Sequence, residues 1–220
     1  MTPSAPPGRY STPDLLVLHA VRVSGVADDG AVARRTGIGL AEASELLQDG
    51  EAFGWVSRVA FAGTSGWTLT ERGRVEDTRR LAEELDGAGV RAAVAAAHAA
   101  FVPLNARLVR ACTDWQLRPD ERDRLAANDH GDAAWDARVL HELAALAAEL
   151  ERLVAALAAG LARFGGYDQR FSGALARARS GETRWVTGVG IASCHTVWME
   201  LHEDLLATLG IARGAERQPG

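Results

Sequence analysis

The chain has 220 residues, a formal net charge of −5, and 47% hydrophobic against 24% charged residues, which is ordinary for a globular protein with one large core or two modest ones. All 24 basic residues are arginine and alanine is abundant, a GC-rich coding pattern that makes arginine richness alone poor evidence of phosphate binding. The acidic balance excludes a nucleic-acid coat; no apolar run reads as long and charge-free enough to span a bilayer, and no signal pattern opens the chain, so a cytoplasmic protein without membrane contact is expected.

A Pro-, Ser- and Gly-rich start predicts a disordered tail over 1–11. Thr12 then reads as an N-cap and Pro13 as a first helical residue, with Leu15, Leu16, Leu18, His19 and Val23 on the apolar face. Asp28 and Asp29 open a short second helix carrying Val32, Arg34 and Arg35 and ending near Gly37. A third helix runs over 40–53 through Leu46 and Leu47. Alternating apolar and polar residues over 55–61, a turn over 62–66 and a second alternation through Trp67 and Leu69 predict a two-stranded ribbon. A fourth helix follows from Thr70 through Val75 and Leu81, and Gly87-Ala88-Gly89 reads as a hinge.

Beyond the hinge the pattern is helical throughout. Residues 90–117 form one apolar stripe of Val94, Phe101, Leu104, Leu108, Val109 and Cys112, interrupted by Pro103, which should kink it. Leucines 140, 143, 146, 150, 153, 157 and 161 mark a helix over 132–164; shorter helices are expected over 167–179 and 191–209, with a loop at 181–185. The fold class expected is therefore mainly α. A winged helix (three helices plus a two-stranded wing) over 12–87 precedes an all-α bundle over 88–212, and a second disordered tail covers 213–220.

Residues 13–85 resemble the winged-helix domain of bacterial transcriptional regulators of the MarR and PadR type, through Leu40-Ala41-Glu42-Ala43-Ser44-Glu45-Leu46-Leu47, Gly54-Trp55-Val56, and Gly66-Trp67-Thr68-Leu69-Thr70-Glu71-Arg72-Gly73. The resemblance implies double-stranded DNA as partner and a homodimer matching a two-fold operator. Arg34, Arg35, Arg58, Arg72 and Arg74 are the phosphate-contacting candidates; Ser44 and Gln48 are the groove-reading ones. Yet the third helix carries Glu42, Glu45, Asp49 and Glu51 and no basic residue, which leaves open a protein-interaction module that does not bind DNA.

Two polar clusters interrupt the bundle helices. One holds Trp115, Asn128, His130 and Trp135; in the other, His195, Trp198 and His202 stand three and four residues apart on one helix face, with Asn105 near the Pro103 kink. Unpaired polar groups in a bundle are costly, so these eight residues are candidate contacts to a small-molecule effector, with core and capping roles as the plain alternative. No metal site, cofactor or catalytic residue is assigned: there is no HxxxH or HExxH pair, and consecutive helix residues such as Cys194 and His195 point about 100° apart. The functional expectation is an effector-sensing, DNA-binding transcriptional regulator. Its rivals are an enzyme modifying a small molecule through a histidine and an interaction module. Cys112 and Cys194 read as buried free thiols.

Overall fold

Local signals set the first elements where the sequence places them. In the computed structural model, which describes residues 10–61, 63–120 and 123–212, Thr12 lies in extended backbone ahead of α1 (Pro13–Ser24). Asp28 caps α2 (Asp29–Thr36) by accepting from the Ala31 N–H, and Gly37, in the left-handed region at φ 73°, ends it. Helix α3 is Leu40–Ala52. Strands β1 (Val56–Phe61) and β2 (Thr64–Leu69) pair antiparallel with Val56 opposite Leu69 and Arg58 opposite Trp67. The hairpin gains a third edge where Ala27 exchanges both backbone hydrogen bonds with Trp67, at 3.0 and 2.8 Å. Thr70 caps α4 (Glu71–Ala88) by accepting from the Gly73 N–H, and Gly89 closes it. The fold is mainly α, with three helices and a two-stranded antiparallel sheet followed by a helical region.

The remaining helices are α5 (Arg91–Gln116), α6 (Ala133–Gly160), α7 (Tyr167–Arg179), α8 (Arg184–Thr187) and α9 (Cys194–Leu209). Several details differ from expectation. The helix expected to reach residue 164 stops at Gly160 and is followed by one 3₁₀ turn, Ala162–Phe164. A four-residue helix, α8, replaces the loop expected at 181–185 beyond Thr183, and the last helix starts at Cys194 rather than residue 191. Val109, expected inward, is 49% exposed. Finally, α5 is long and apolar enough, by length and composition, to cross a membrane, against the reading that no run is; its alanines supply that character, and 17% of the stretch is buried. The tails expected over 1–11 and 213–220 fall outside the described residues except for Tyr10 and Ser11, as does Ala62 of the expected turn.

The chain divides into two compact units. Among the described residues the first takes in 10–94, 159–163 and 203–212, and the second 95–158 and 164–202. The first is centred on Val17, Leu18, Val21, Val32, Leu47 and Trp67, all buried. Each such side chain contributes about 1.5–3 kcal/mol by leaving water. The second buries Phe101, Leu108, Leu143, Leu146, Phe171 and Trp198.

The first unit also holds a buried ionic cluster. His19 of α1 is 5% exposed, with Nδ1 3.4 Å from Asp77 Oδ2 and Nε2 3.0 Å from Asp204 Oδ1. The two carboxylates thus flank the imidazole, one at each ring nitrogen. Arg22 reaches Asp77 at 3.0 Å, Thr78 at 2.9 Å and Glu203 at 3.1 Å. Arg163 pairs with Asp204, with Glu84 at 2.8 Å, and donates to Thr208 at 2.7 Å.

Burial alone would lower the pKa of His19, but the carboxylates of Asp204 and Asp77 outweigh it and raise it from 6.5 to about 9. A raised histidine pKa stabilises the fold fully below the unfolded value, and that contribution fades as pH climbs through the folded one. Urea titrations are therefore expected to show stability falling, by on the order of 3 kcal/mol, as pH rises from 6.5 through about 9. His19→Gln should abolish that slope, and an unchanged slope in the variant would refute the assignment.

Candidate functional site

The DNA-reading candidates of the first unit fall into three settings. Asp29, at the start of α2, accepts from the Ser44 hydroxyl at 2.6 Å and from Trp67 Nε1 at 2.6 Å. Those bonds, Ser44 first and then Trp67, hold its carboxyl below the usual aspartate range, helped by Arg58 nearby. Ser44 is thus committed to tying α3 to α2, and Gln48 Nε2 donates weakly back to it at 3.5 Å. Arg58 stacks on the Trp67 ring with its guanidinium carbon 4.2 Å from the centroid. Arg34 is exposed, with Nη1 near the Gly30 backbone of the same helix. Arg35 is half-buried on α2.

Arg72 and Arg74, in the first turn of α4, are exposed and make no ion pair among the described residues. The same holds for Glu42, Glu45, Asp49 and Glu51 on α3, so the outward face of that helix is acidic and uncompensated. Leu40 and Phe53, at its two ends, are 59% and 54% exposed.

In the second unit the eight ligand candidates separate by burial. Phe101 gathers one set: Trp198 stacks on it at 5.0 Å, His202 lies tilted against it at 5.3 Å, and Trp198 Nε1 donates to Asn105 Oδ1 at 3.1 Å. Trp198 is fully buried with its N–H satisfied, which makes it a core side chain. His195 is half-buried, and burial alone lowers its pKa.

The second set forms around the Leu117–Ala127 bridge. Asn128 Nδ2 donates to the Trp115 carbonyl at 3.0 Å and to Asp136 at 2.9 Å, while His130 Nδ1 lies 2.8 Å from the other Asp136 oxygen. The His130 ring lies tilted against Trp115, with the ring centroids 4.6 Å apart. Its φ of 59° is the only positive value on a non-glycine residue among the described residues, a conformation those bonds hold in place. Trp115 is itself buried, with Nε1 donating to Thr183 O at 3.2 Å.

Trp135 differs from its neighbours. Its N–H is spent on the Asp114 carbonyl at 2.6 Å, and its ring borders an open groove of about 560 Å³ between α5 and α6. Arg107, Arg110, Asp114, Arg138 and Glu142 supply the polar rim of that groove, and Trp135 alone of its lining is among the eight candidates. A signal for the rim is present as charge spacing, with Arg107, Arg110 and Asp114 three and four apart on one helix face.

Among the described residues no group of three or more His, Cys, Asp or Glu is arranged to hold a metal ion. Cys112 and Cys194 are free and buried, and burial pushes both thiols up to about 12, outside the range of a ready nucleophile. Compared with family models, curated proteins and solved structures, the chain matches none.

Proposed function

We propose that the protein is a DNA-binding transcription regulator, acting as a homodimer, whose second unit senses a small molecule. One observation carries this reading: three helices followed by an antiparallel ribbon that gains a third edge at Ala27, the winged-helix-like order of the first unit. Modules of that order lay a helix and a wing against a duplex. The resemblance to MarR- and PadR-type regulators over residues 13–85 supports the same reading.

The acidic face of α3 shapes how the duplex is held. Four carboxylates without compensating cations would be repelled from a phosphate-lined groove, so binding rests on the exposed Arg72 and Arg74 of α4. Backbone contacts of this kind give affinity that falls steeply with salt. Fluorescence anisotropy with the gene's own upstream DNA is expected to show tight binding at low salt. Changing Arg72 or Arg74 to Gln should reduce the log–log salt slope by about one for each phosphate no longer neutralised. Absence of binding at low salt would overturn the reading.

A second reading is favoured by one specific feature. The uncompensated carboxylates of α3, flanked by exposed Leu40 and Phe53, suit a basic, partly apolar protein partner better than they suit DNA. Charge reversal at Glu42 and Glu45 separates the two. If α3 faces DNA, affinity rises; if the module serves a protein instead, neither form binds DNA at low salt.

A further inference from the structure

We propose that the groove between α5 and α6 binds a small amphoteric carboxylate, an apolar body carrying a carboxylate and a neighbouring cationic group. This deepens the sensing half of the function above, and rests on it only for the regulatory meaning of binding.

The charges around the groove are unequally committed. Arg107 and Glu142 satisfy each other at 2.7 Å. Arg110, one turn further along α5, makes no ion pair among the described residues, and neither does the Asp114 carboxylate. Arg138 lies over the Trp135 ring, its guanidinium carbon 4.6 Å from the centroid, again without a carboxylate partner among the described residues. The concavity therefore offers two guanidiniums without a carboxylate partner and one carboxylate without a cationic one among the described residues.

Its remaining walls are apolar. Ala111 and Val139, 4% and 5% exposed, form the floor, and the Trp135 ring, with Arg138 over one face and its N–H held by Asp114, forms a side wall. Planar guanidinium forks match carboxylates bidentately, and an indole face beside them takes an apolar or aromatic body. Three guanidiniums against two carboxylates leave a net charge of only +1 around the groove, too little to favour a polyphosphate. A ligand presenting a carboxylate to Arg110 and Arg138 and an ammonium to Asp114 leaves no rim charge facing a like charge. An apolar α-amino acid has that distribution.

Isothermal titration calorimetry on the full chain at low ionic strength, with L-phenylalanine, phenylacetate and phenethylamine as probes, tests the assignment. L-Phenylalanine is expected to bind, phenylacetate more weakly, and phenethylamine not at all. Arg110→Gln and Arg138→Gln, at exposed positions where the melting temperature should stay unchanged, are each expected to weaken L-phenylalanine by about tenfold or more. Asp114→Asn should weaken L-phenylalanine and strengthen phenylacetate, because it removes an attraction from one and a repulsion from the other.

Binding of none of the probes would overturn the proposal. So would phenethylamine binding as well as the carboxylates, phenylacetate matching L-phenylalanine, or an inert Arg110→Gln. If L-phenylalanine binds as described while DNA is not bound, or is bound with unchanged affinity, the regulatory reading fails and the groove assignment stands.

Discussion

Exchanging Arg163 for methionine is expected to remove about 3–5 kcal/mol of stability at neutral pH, read as a shift of the urea midpoint. The Arg163 side chain is 3% exposed, and its partners Asp204 and Glu84 are 3% and 8% exposed. Methionine keeps much of the apolar stem but strands the Glu84 carboxylate away from water and leaves Asp204 with His19 as its cation. The cost lies in the uncompensated charge more than in the missing attraction. Adding Glu84→Gln to Arg163→Met should therefore recover part of the loss, a positive coupling that a double-mutant cycle measures directly. A loss below about 1 kcal/mol in the single variant would mean that water reaches the cluster and the pairing is dispensable.

Gly73→Ala is expected to cost about 3 kcal/mol or more, for a steric reason that charge does not touch. A Cβ at this buried position would stand 1.9 Å from the Trp55 carbonyl oxygen. That oxygen is fixed backbone, accepting from Thr70 N at 3.0 Å and lying 3.2 Å from Thr70 Oγ1, which in turn caps Gly73 N at 2.9 Å. No rotamer relieves the overlap, so α4 must withdraw from the start of the ribbon. Trp55, stacked on Phe53 at 4.6 Å and beneath Arg80 at 4.6 Å, would move with it. Gly87→Ala in the same helix is the control: nothing lies within 4 Å of its added Cβ. Exchanging glycine for alanine there should be neutral or raise stability by up to about 1 kcal/mol. Equal melting temperatures for the two variants would refute the close-approach argument.

The first unit was legible where local chemistry dictates backbone geometry. Asp28 and Thr70 announce helix starts because their side chains can accept the free N–H groups of a first turn, and both do. The alternation around Trp67 announces a strand with one buried face. Pairings across long separations left no such trace. His19 reads as one more member of an apolar stripe, since its partners lie 58 residues on at Asp77 and much further on at Asp204.

Candidate sites were less legible for a related reason. Periodicity puts His195, Trp198 and His202 on one face but does not say whether that face meets solvent or Phe101, and Trp198 turned inward. The groove at Trp135 leaves little mark in the sequence because each of its arginines, taken singly, looks like a solvated surface residue. Its meaning lies in which of them pair with a carboxylate and which do not.

The ionic cluster also constrains the order in which the molecule can be made. Arg22 and Glu203 are separated by 181 positions, and the whole of the second unit's sequence lies between them. A ribosome that has released α1 through α4 has delivered four helices and the ribbon of the first unit but not the α9 carboxylates, Asp204 and Glu203, that His19 and Arg22 await. Until Glu203 and Asp204 emerge, that nascent intermediate holds His19 and Arg22 short of part of their partners, and its closing contacts form last. Synthesis interrupted before α9 should yield a loosened first unit, sensitive to proteolysis and dependent on chaperones, even though every residue of its helix-and-ribbon core is present.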